Sequence, residues 1–373
     1  MKKSLLALAV LGAFAGVASA QSSVSLYGTL DLSAKYVKND GSDRRYSLSQ
    51  DGINSSQLGF KGTEDLGGGL KAGFVLLAGV NADTGTTNTK FFNRRSTVSL
   101  MGGFGEVRLG RDYTPTFWND TIFDAFGTNG LGDSSHVLQL PTATFVRADN
   151  SIGYFLPPNI GGVYGQFMAA AGEGGNGQQV GGTPVTATNF GSASNFGGNI
   201  NPGRYIGGRI GFAAGPFDIA AAYAQQRFTG NLTNFNSSGT TANQKTWNVG
   251  GSYDLGVVKL MGYFDRDTVE NARENRLSVS AVVPLGQGEI HAGYDRSKLS
   301  GSRGLVNLDN KVDQFKLGYV YNLSKRTAVY TNVSRLKNGN QSTLSVAGGS
   351  SQTLAPTAGG KSTGAEFGVR HFF

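Results

Sequence analysis

The feature that most constrains the fold is an alternation of apolar and polar positions that continues to the last residue of the chain. Within Gly364 to Phe373, one parity holds Phe367, Val369, His371 and Phe373, and the other holds Glu366, Gly368 and Arg370. A period of two predicts a strand with one apolar face and one wet face. A terminal strand that needs a partner along its whole length fits a closed barrel, in which the last strand pairs with the first.

The same alternation recurs along the chain, and it predicts sixteen strands. Their bounds are roughly 23–37, 53–65, 68–82, 92–102, 104–113, 145–156, 161–172, 204–213, 216–228, 245–255, 256–267, 273–284, 287–299, 312–322, 325–337 and 361–373. Short glycine-rich turns, as at 65–69 and 285–288, alternate with longer polar loops. This layout is typical of outer-membrane barrels. We therefore predict an all-β fold, a 16-stranded antiparallel transmembrane β-barrel with both termini on the periplasmic side.

The start of the chain predicts export. Lys2 and Lys3 precede an apolar run from Leu5 to Val17, and small residues follow at 18–20. This order is typical of a cleaved signal peptide over 1–20, which leaves a single barrel domain over 21–373. A membrane anchor is the alternative, but the run is shorter than the ~20 residues that a span needs. Loss of the two lysines lowers the formal charge from +8 to +6.

Composition excludes several other classes. The chain has no cysteine, so disulfides do not hold it together. Its 57 glycines show no period of three, which excludes collagen. The positive charge is modest and no basic run occurs, which argues against a nucleic-acid partner. Nothing in the sequence predicts a metal or another cofactor.

One long stretch, 114–144, differs from the other loops because it carries many large apolar residues. These are Phe117, Trp118, Ile122, Phe123, Phe126, Leu131, Leu138 and Leu140. Such side chains need a surface to pack against, and a loop folded into the barrel mouth would have one. Two missed hairpin strands are the alternative, although Pro115 and Pro141 argue against them. The polar stretch 173–203 reads as a solvated surface loop.

Charge separates this loop from its flanking strands. It contains Asp120, Asp124 and Asp133 and no Lys or Arg, whereas the flanking strands carry Arg94, Arg95, Arg108 and Arg147. Because Val98 and Leu100 face outward, alternation places Arg95 inward, and an outward Ala148 would likewise place Arg147 inward. An acidic loop facing a basic wall would produce a transverse field that sorts ions by sign. Ordinary lumen charges without a special position are the alternative.

Several motifs in this order resemble the general porins of Gram-negative outer membranes, in particular their beta-proteobacterial branch. They are Ser25-Leu-Tyr-Gly28, the segment Leu58 to Gly67, Asn93-Arg-Arg95, the segment Gly103 to Tyr113, Asp149-Asn-Ser-Ile152 and the terminal Phe373. The resemblance covers 21–373. It implies a homotrimer in the cell outer membrane, in contact with lipid and lipopolysaccharide, and a third loop folded inside as the constriction. It also implies that Phe373 is read by the barrel-assembly machinery.

The resemblance also assigns the constriction. In the family, a basic cluster from three strands faces acids on the inserted loop. Arg95 matches the second basic position and Arg147 the third, whereas the first falls on the uncharged Gln57. Lys61 shares the parity of Gln57 and would compensate in part, and Arg94 adjoins Arg95. Asp120 and Asp124 match the acidic side best, with Asp133 beside them. The expected function is a water-filled channel for passive diffusion of small hydrophilic solutes and ions, with mild anion preference.

Three alternatives remain. A substrate-specific channel for phosphate or an organic anion would use a ladder of inward cations, and candidates are Lys35, Arg108, Lys259, Arg276, Lys316 and Arg370. An outer-membrane enzyme would need a base beside a nucleophile, and the nearest approach is His291 with Asp295 four residues on. An autotransporter would show a long passenger before its barrel, but here the alternation begins at Ser23. We therefore expect a channel and no enzyme.

Overall fold

The computed structural model describes residues 23–140, 146–158, 160–171, 204–229, 241–303, 306–347 and 355–373. The predicted signal peptide and the polar loop 173–203 lie outside these ranges. Among the described residues, no helix is both long enough and apolar enough to cross a membrane.

Strands dominate the described chain. In chain order they are β1 (Ser23–Asn39), β2 (Arg44–Gln50), β3 (Gln57–Gly67), β4 (Leu70–Asn81), β5 (Thr86–Thr87), β6 (Arg95–Gly102), β7 (Gly105–Tyr113), β8 (Arg147–Phe155), β9 (Val163–Ala170), β10 (Tyr205–Ala214), β11 (Phe217–Thr229), β12 (Thr241–Asp254), β13 (Lys259–Val269), β14 (Ala272–Leu285), β15 (Gly288–Arg303), β16 (Val306–Asn322), β17 (Thr327–Lys337) and β18 (Lys361–Phe372). Every pairing in the resulting sheet is antiparallel.

These segments make sixteen wall strands, which confirms the predicted count. β3 pairs with the first half of β1 and β2 with the second half, so together they form one interrupted wall strand. Asp31 stabilises the interruption, because its carboxylate accepts hydrogen bonds from the backbone N–H groups of Gly52, Ile53 and Asn54 at 3.2, 2.9 and 2.7 Å. β5 only pairs with two residues at the end of β4.

The barrel closes where the alternation at the C-terminus predicts. β18 pairs with β1 from Thr29↔Phe372 to Asn39↔Ser362. Beyond that ladder, Gly28 and Phe373 exchange backbone hydrogen bonds of 3.0 and 3.1 Å. The Phe373 ring lies so close to Gly28 that a Cβ there would be 2.3 Å from its Cζ atom. Glycine at position 28 is therefore what lets the terminal ring lie across the seam.

The two faces of the wall differ as a membrane barrel requires. Outward apolar side chains are exposed, for example Val98 at 54% and Phe367 at 60%, as is typical of residues that face lipid or a neighbouring subunit. Inward positions are mostly polar and buried beneath the inserted loop, as at Asn248 and Asp265.

The main boundary difference lies in β15 and β16, which pair as far as Arg303↔Val306, whereas a loop was predicted over 300–311. Gly301 and Gly304 interrupt the pattern there, and the apolar Leu305, Val306 and Leu308 do not keep to one parity, so alternation gave no clear signal.

Candidate pore constriction

Residues 114–140 form short helical turns and no strand. They comprise helix α1 (Pro115–Ile122) and two 3₁₀ turns, Gly130–Gly132 and Ser134–Val137. The apolar side chains that set this loop apart in the sequence are buried, including Phe123, Phe126, Leu131 and Leu138. They pack against inward residues of the barrel wall, as Phe123 does with Ala220 and Tyr263.

The first part of the loop is fixed to β10, β12 and β14. Asn119 donates a hydrogen bond to Asn248 Oδ1 at 2.9 Å, and it accepts one from Arg209. The Phe123 ring lies over Gly250, where a Cβ would be 2.4 Å from the ring. Asp120 approaches the Arg276 guanidinium at 3.5 Å. This end of the loop therefore lies against the wall and not across the open lumen.

Arg276 is the centre of a buried ionic cluster. Besides Asp120, its guanidinium contacts Asp265 at 2.9 Å and Asp267 at 3.4 Å, and all four side chains are at most 1% exposed. Burial raises the pKa of Asp120 to about 7, although Arg276 acts in the opposite direction. The cluster ties the loop to two wall strands through charges that are removed from water.

A second ion pair fixes the middle of the loop. Lys316 Nζ on β16 lies 3.0 Å from Asp124 and 3.0 Å from Asp295, and all three are buried. The backbone N–H of Ala125 donates to Ser280 Oγ at 3.0 Å. These contacts continue the line of attachment around the same side of the barrel.

The far end of the loop reaches β14, β16 and β18. Leu131 N–H donates to Glu366 at 3.2 Å, and Gln314 donates to the Leu131 carbonyl at 3.0 Å. Glu274 accepts hydrogen bonds from the backbone N–H groups of Gln139 and Leu140 at 2.9 and 2.7 Å. The loop thus follows the wall from β9 round to β18. The inner face of β3 to β8 is left as the other border of the opening.

On that other border, two arginines share one phenol. Arg94 and Arg147 both donate to Tyr113 Oη, at 3.3 and 3.0 Å. The Arg147 guanidinium also lies 4.4 Å from the centre of the Tyr113 ring. The other side of that ring packs on α1, with centroids 5.9 Å from Phe117 and 5.3 Å from Trp118. No ion pair joins either arginine to a carboxylate in the ranges that the structure describes.

Arg95 lies nearby on the inner face but has an acid partner. Its Nε is 3.3 Å from Asp112, and Arg108 is 2.6 Å from the same carboxylate. Arg108 also pairs with Glu106 at 2.9 Å. Asp112 has the same inward parity as Arg108 and Gly110, so alternation already places it on the inner face, but our sequence reasoning did not consider it as a partner of Arg95. The register shift beside it gives β8 one extra residue between Ala148 and Ser151.

Gln57 and Lys61 lie on the same strand, β3, two same-face rows apart. Gln57 pairs with Gly79, whose N–H donates to Asn93 Oδ1 at 2.7 Å. Two residues further along β3 toward the periplasm is Gly59. It lies in a cross-strand row that connects Tyr27 on β1, through β3 and β4, to Arg95 on β6. Lys61 follows two residues after that row on the same face of β3, and its Nζ lies 5.3 Å from the centre of the Tyr27 ring. Gln57 is therefore paired with a glycine that is hydrogen-bonded to Asn93, the residue before Arg94.

Two parts of the predicted arrangement differ from the structure: the surroundings of the loop acids and the face on which Ala148 lies. Asp120 and Asp124 are buried against wall cations, so they do not face Arg95 or Arg147. Asp133 is half-buried and accepts a hydrogen bond from Ser135 N–H at 2.7 Å, which caps a 3₁₀ turn. The outward assignment of Ala148 was wrong, because Ala148 is buried with Met168, Ala170, Tyr205 and Ala224. The parity argument for an inward Arg147 therefore fails, and its position rests on its contact at the end of β8, where it donates to the same Tyr113 hydroxyl as Arg94.

The loop histidine, His136, adds no positive charge to the opening. Burial lowers the pKa of His136 to about 4, so this side chain is neutral at physiological pH. In the described ranges, no group of three or more His, Asp or Glu side chains is arranged to hold a metal ion.

A closed sixteen-stranded barrel, an apolar outer face and a loop fastened inside the lumen together define a porin-type membrane channel. The family model for Gram-negative porins matches residues 7–341. The chain belongs to this family, and it is an outer-membrane protein of a Gram-negative bacterium.

Individual relatives agree with the family. Outer membrane porin protein 32 of Delftia acidovorans is 39% identical over 388 aligned residues, with 100% of both chains covered. Major outer membrane protein P.IB of Neisseria gonorrhoeae is 27% identical, over 91% of this chain and 94% of its own length. The solved structure of an anion-selective porin from Comamonas acidovorans superposes with a TM-score of 0.78 at 35% identity, and it covers 95% of this chain and 100% of its own.

Proposed function

We propose that the chain is a passive, water-filled porin for small hydrophilic solutes and ions, with a mild preference for anions. The observation that carries the sign is the arrangement of Arg94 and Arg147, two half-buried guanidiniums that share a phenol and have no carboxylate within 4.0 Å in the described ranges. Asp120 and Asp124, the acids expected opposite, are neutralised against Arg276 and Lys316. The opening therefore has a basic side and a nearly neutral loop side, which favours anions. The anion selectivity named for the Comamonas structure supports the same sign.

A general pore fits better than a specific phosphate channel. Of the six cations considered for a ladder, Lys35, Arg276 and Lys316 are buried and each contacts a carboxylate. Those three cannot meet a passing solute. Arg108 is paired with Glu106 and Asp112 as well, so most of the six are already bound to carboxylates and the solute is selected mainly by size and field.

We also propose that the channel has no enzymatic activity. His291 contacts Glu289 at 3.0 Å, whereas Asp295 contacts Lys316. The histidine–aspartate pair considered from the sequence is therefore not assembled. A lipase or protease assay on the purified barrel checks this.

Assembly follows the family expectation. We propose that residues 1–20 are a cleaved signal and that the mature chain forms a homotrimer in contact with lipid and lipopolysaccharide. We further propose that Phe373, which lies at the barrel seam, is read by the barrel-assembly machinery. Residues 114–144 act as the constriction loop in this proposal.

Liposome swelling tests the proposed diffusion directly. Purified protein in liposomes should admit sugars at rates that fall with solute size, without saturation. Saturation at low concentration, or uptake of one solute class only, would contradict a general pore. Liposomes without protein are the control.

Gln57→Arg is expected to raise the anion preference. The new guanidinium would lie near Asn93, one residue from Arg94, and would restore a cation at the first basic position of the family pattern. A zero-current potential in a KCl gradient should move further toward chloride. Gln225→Arg, the same change on the outward face of β11, is the matched control and should leave the potential unchanged. Equal potentials for both variants would place position 57 outside the constriction.

A further inference from the structure

A carboxylate close to the two arginines of the opening has cationic partners on both sides. Asp149 lies near the start of β8, in the motif Asp149-Asn-Ser-Ile152 that contributed to the family resemblance. Its Oδ1 atom accepts a hydrogen bond from Nη1 of Arg111 on β7 at 2.6 Å, and its Oδ2 atom accepts one from Lys90. The carboxylate therefore connects the segment that precedes β6 with two neighbouring wall strands.

A β-bulge in β8 sets the position of this carboxylate. Ala148 and Ser151 are three residues apart on β8, but the β7 residues opposite them are only two apart. Asn150 lies within the extra step and has a φ of 51°, a left-handed conformation that asparagine adopts more readily than most residues. Bulges often re-aim a side chain beside a functional site. The motif thus includes both the bulge and the carboxylate that lies in it.

Arg111 links Asp149 to the peptide bond that leads into Arg94. While its Nη1 binds Asp149, its Nε donates a hydrogen bond to the Asn93 carbonyl at 2.6 Å. The N–H of the same peptide bond, on Arg94, donates to the Leu77 carbonyl at 3.1 Å. Because a peptide unit is planar, bonds to its carbonyl and to its N–H together fix its orientation. Asp149 and Arg111 therefore help to set the direction in which the Arg94 side chain leaves the wall.

The Arg94 guanidinium depends on this fixed backbone because its own contacts are weak. It donates to the Tyr113 hydroxyl at 3.3 Å, which is long for a hydrogen bond to a neutral acceptor. Arg147 is better held, since it donates to the same hydroxyl at 3.0 Å and also packs on the Tyr113 ring. Of the two arginines, Arg94 should therefore be the more sensitive to a loss of support at its backbone.

We propose that Asp149 is a positioning residue for anion selectivity, which holds Arg94 at the basic side of the opening through Arg111 and the Asn93 carbonyl. The proposal rests on the anion preference proposed above and names a residue that sustains it. By its charge alone, a carboxylate near an anion path weakens anion preference, whereas a carboxylate that positions an arginine strengthens it. The two effects of Asp149 have opposite signs and can be separated by experiment.

Zero-current potentials of Asp149→Ala and Arg111→Lys in a KCl gradient test the proposal. Asp149→Ala removes a negative charge, whereas Arg111→Lys keeps its charge but lacks the planar group that contacts Asp149 and Asn93 together. Both variants should lower the chloride-to-potassium permeability ratio by about twofold, the size expected for one partly exposed ion pair. Asp149→Glu keeps the carboxylate and should stay closer to wild type than Asp149→Ala. A raised or unchanged ratio in Asp149→Ala would overturn the proposal.

An Arg94→Gln background shows whether the effect passes through Arg94. Adding Asp149→Ala to Arg94→Gln should cause no further fall in the permeability ratio, because the guanidinium that Asp149 positions is already absent. A second fall of about twofold, additive with the first, would show that Asp149 acts by another route and would overturn the proposal.

Asp309→Ala and Arg335→Lys are the matched controls for the two single changes. Both residues are exposed and lie near the ends of β16 and β17 that adjoin the longer loops. Each control should keep the wild-type permeability ratio, and a fall equal to that of its test variant would overturn the proposal. A wild-type channel without anion preference would contradict the proposed function itself. An anion-preferring wild type with an unmoved ratio in Asp149→Ala would contradict the role of Asp149 alone.

Discussion

The double variant Arg94→Glu/Arg147→Glu is expected to convert the channel from anion-preferring to cation-preferring. Both guanidiniums converge on Tyr113, and neither has a carboxylate within 4.0 Å in the described ranges. Replacing two positive charges by two negative ones therefore reverses the local field beside the loop. The zero-current potential under a KCl gradient should change sign. The neutral pair Arg94→Gln/Arg147→Gln should bring the potential close to zero.

Arg273→Glu/Lys298→Glu is the matched control for this reversal. Both residues are exposed on the outward face of neighbouring strands, so the same change in net charge occurs outside the lumen. Its potential should stay that of the wild type. If both double variants shifted the potential equally, total charge and not position would set selectivity.

Arg276→Met should have the largest effect on stability. It leaves Asp120, Asp265 and Asp267 buried without their shared cation, and removing one partner of a buried pair typically costs about 3–5 kcal/mol. The free energy of unfolding, measured by urea titration in detergent, should fall by that amount. Conductance should rise and become noisy, because the α1 end of the loop loses its attachment.

Asp120→Asn tests the same cluster from the other partner. Because burial raises the pKa of Asp120 to about 7, its charged form is disfavoured in the folded state, and its contribution to stability grows as pH falls from about 7 toward the ordinary aspartate range. A neutral amide should therefore cost about 1 kcal/mol or less at pH 7. Arg273→Met, an outward change on the strand that carries Arg276, should be nearly silent. If Arg276→Met lowered the free energy of unfolding no more than Asp120→Asn and Arg273→Met do, the proposed attachment of the loop would be contradicted.

Much of the barrel follows from the alternation alone. Outward Val98 and Phe367 and inward Glu366 and Arg276 are correctly separated by parity, since a pleated strand points successive side chains to opposite faces. The apolar content of 114–140 also predicted packing against a surface. Parity says only which face a residue takes, however, and not which residue of another strand lies beside it.

The candidate site shows where that information runs out. Arg276 and Asp120 are 156 residues apart in sequence, so their contact depends on how the loop folds and not on any local pattern. Three steps of β8, from Ser151 to Ala148, oppose two steps of β7, and this extra residue in β8 defeated the parity argument for Ala148. The assignment of Arg94, Arg95 and Arg147 to the basic side of the constriction stays a prediction, whereas the partners of Arg95 and of the loop acids could be found only from the structure.

The sign of the zero-current potential of the wild-type channel tests the account most directly. A planar bilayer with a tenfold KCl gradient gives at most about 59 mV for ideal selectivity. A mild preference for anions predicts a dilute side that is negative by a fraction of that value, because chloride crosses more readily than potassium. A dilute side that is positive would show a cation-selective pore and would contradict the role assigned to Arg94 and Arg147.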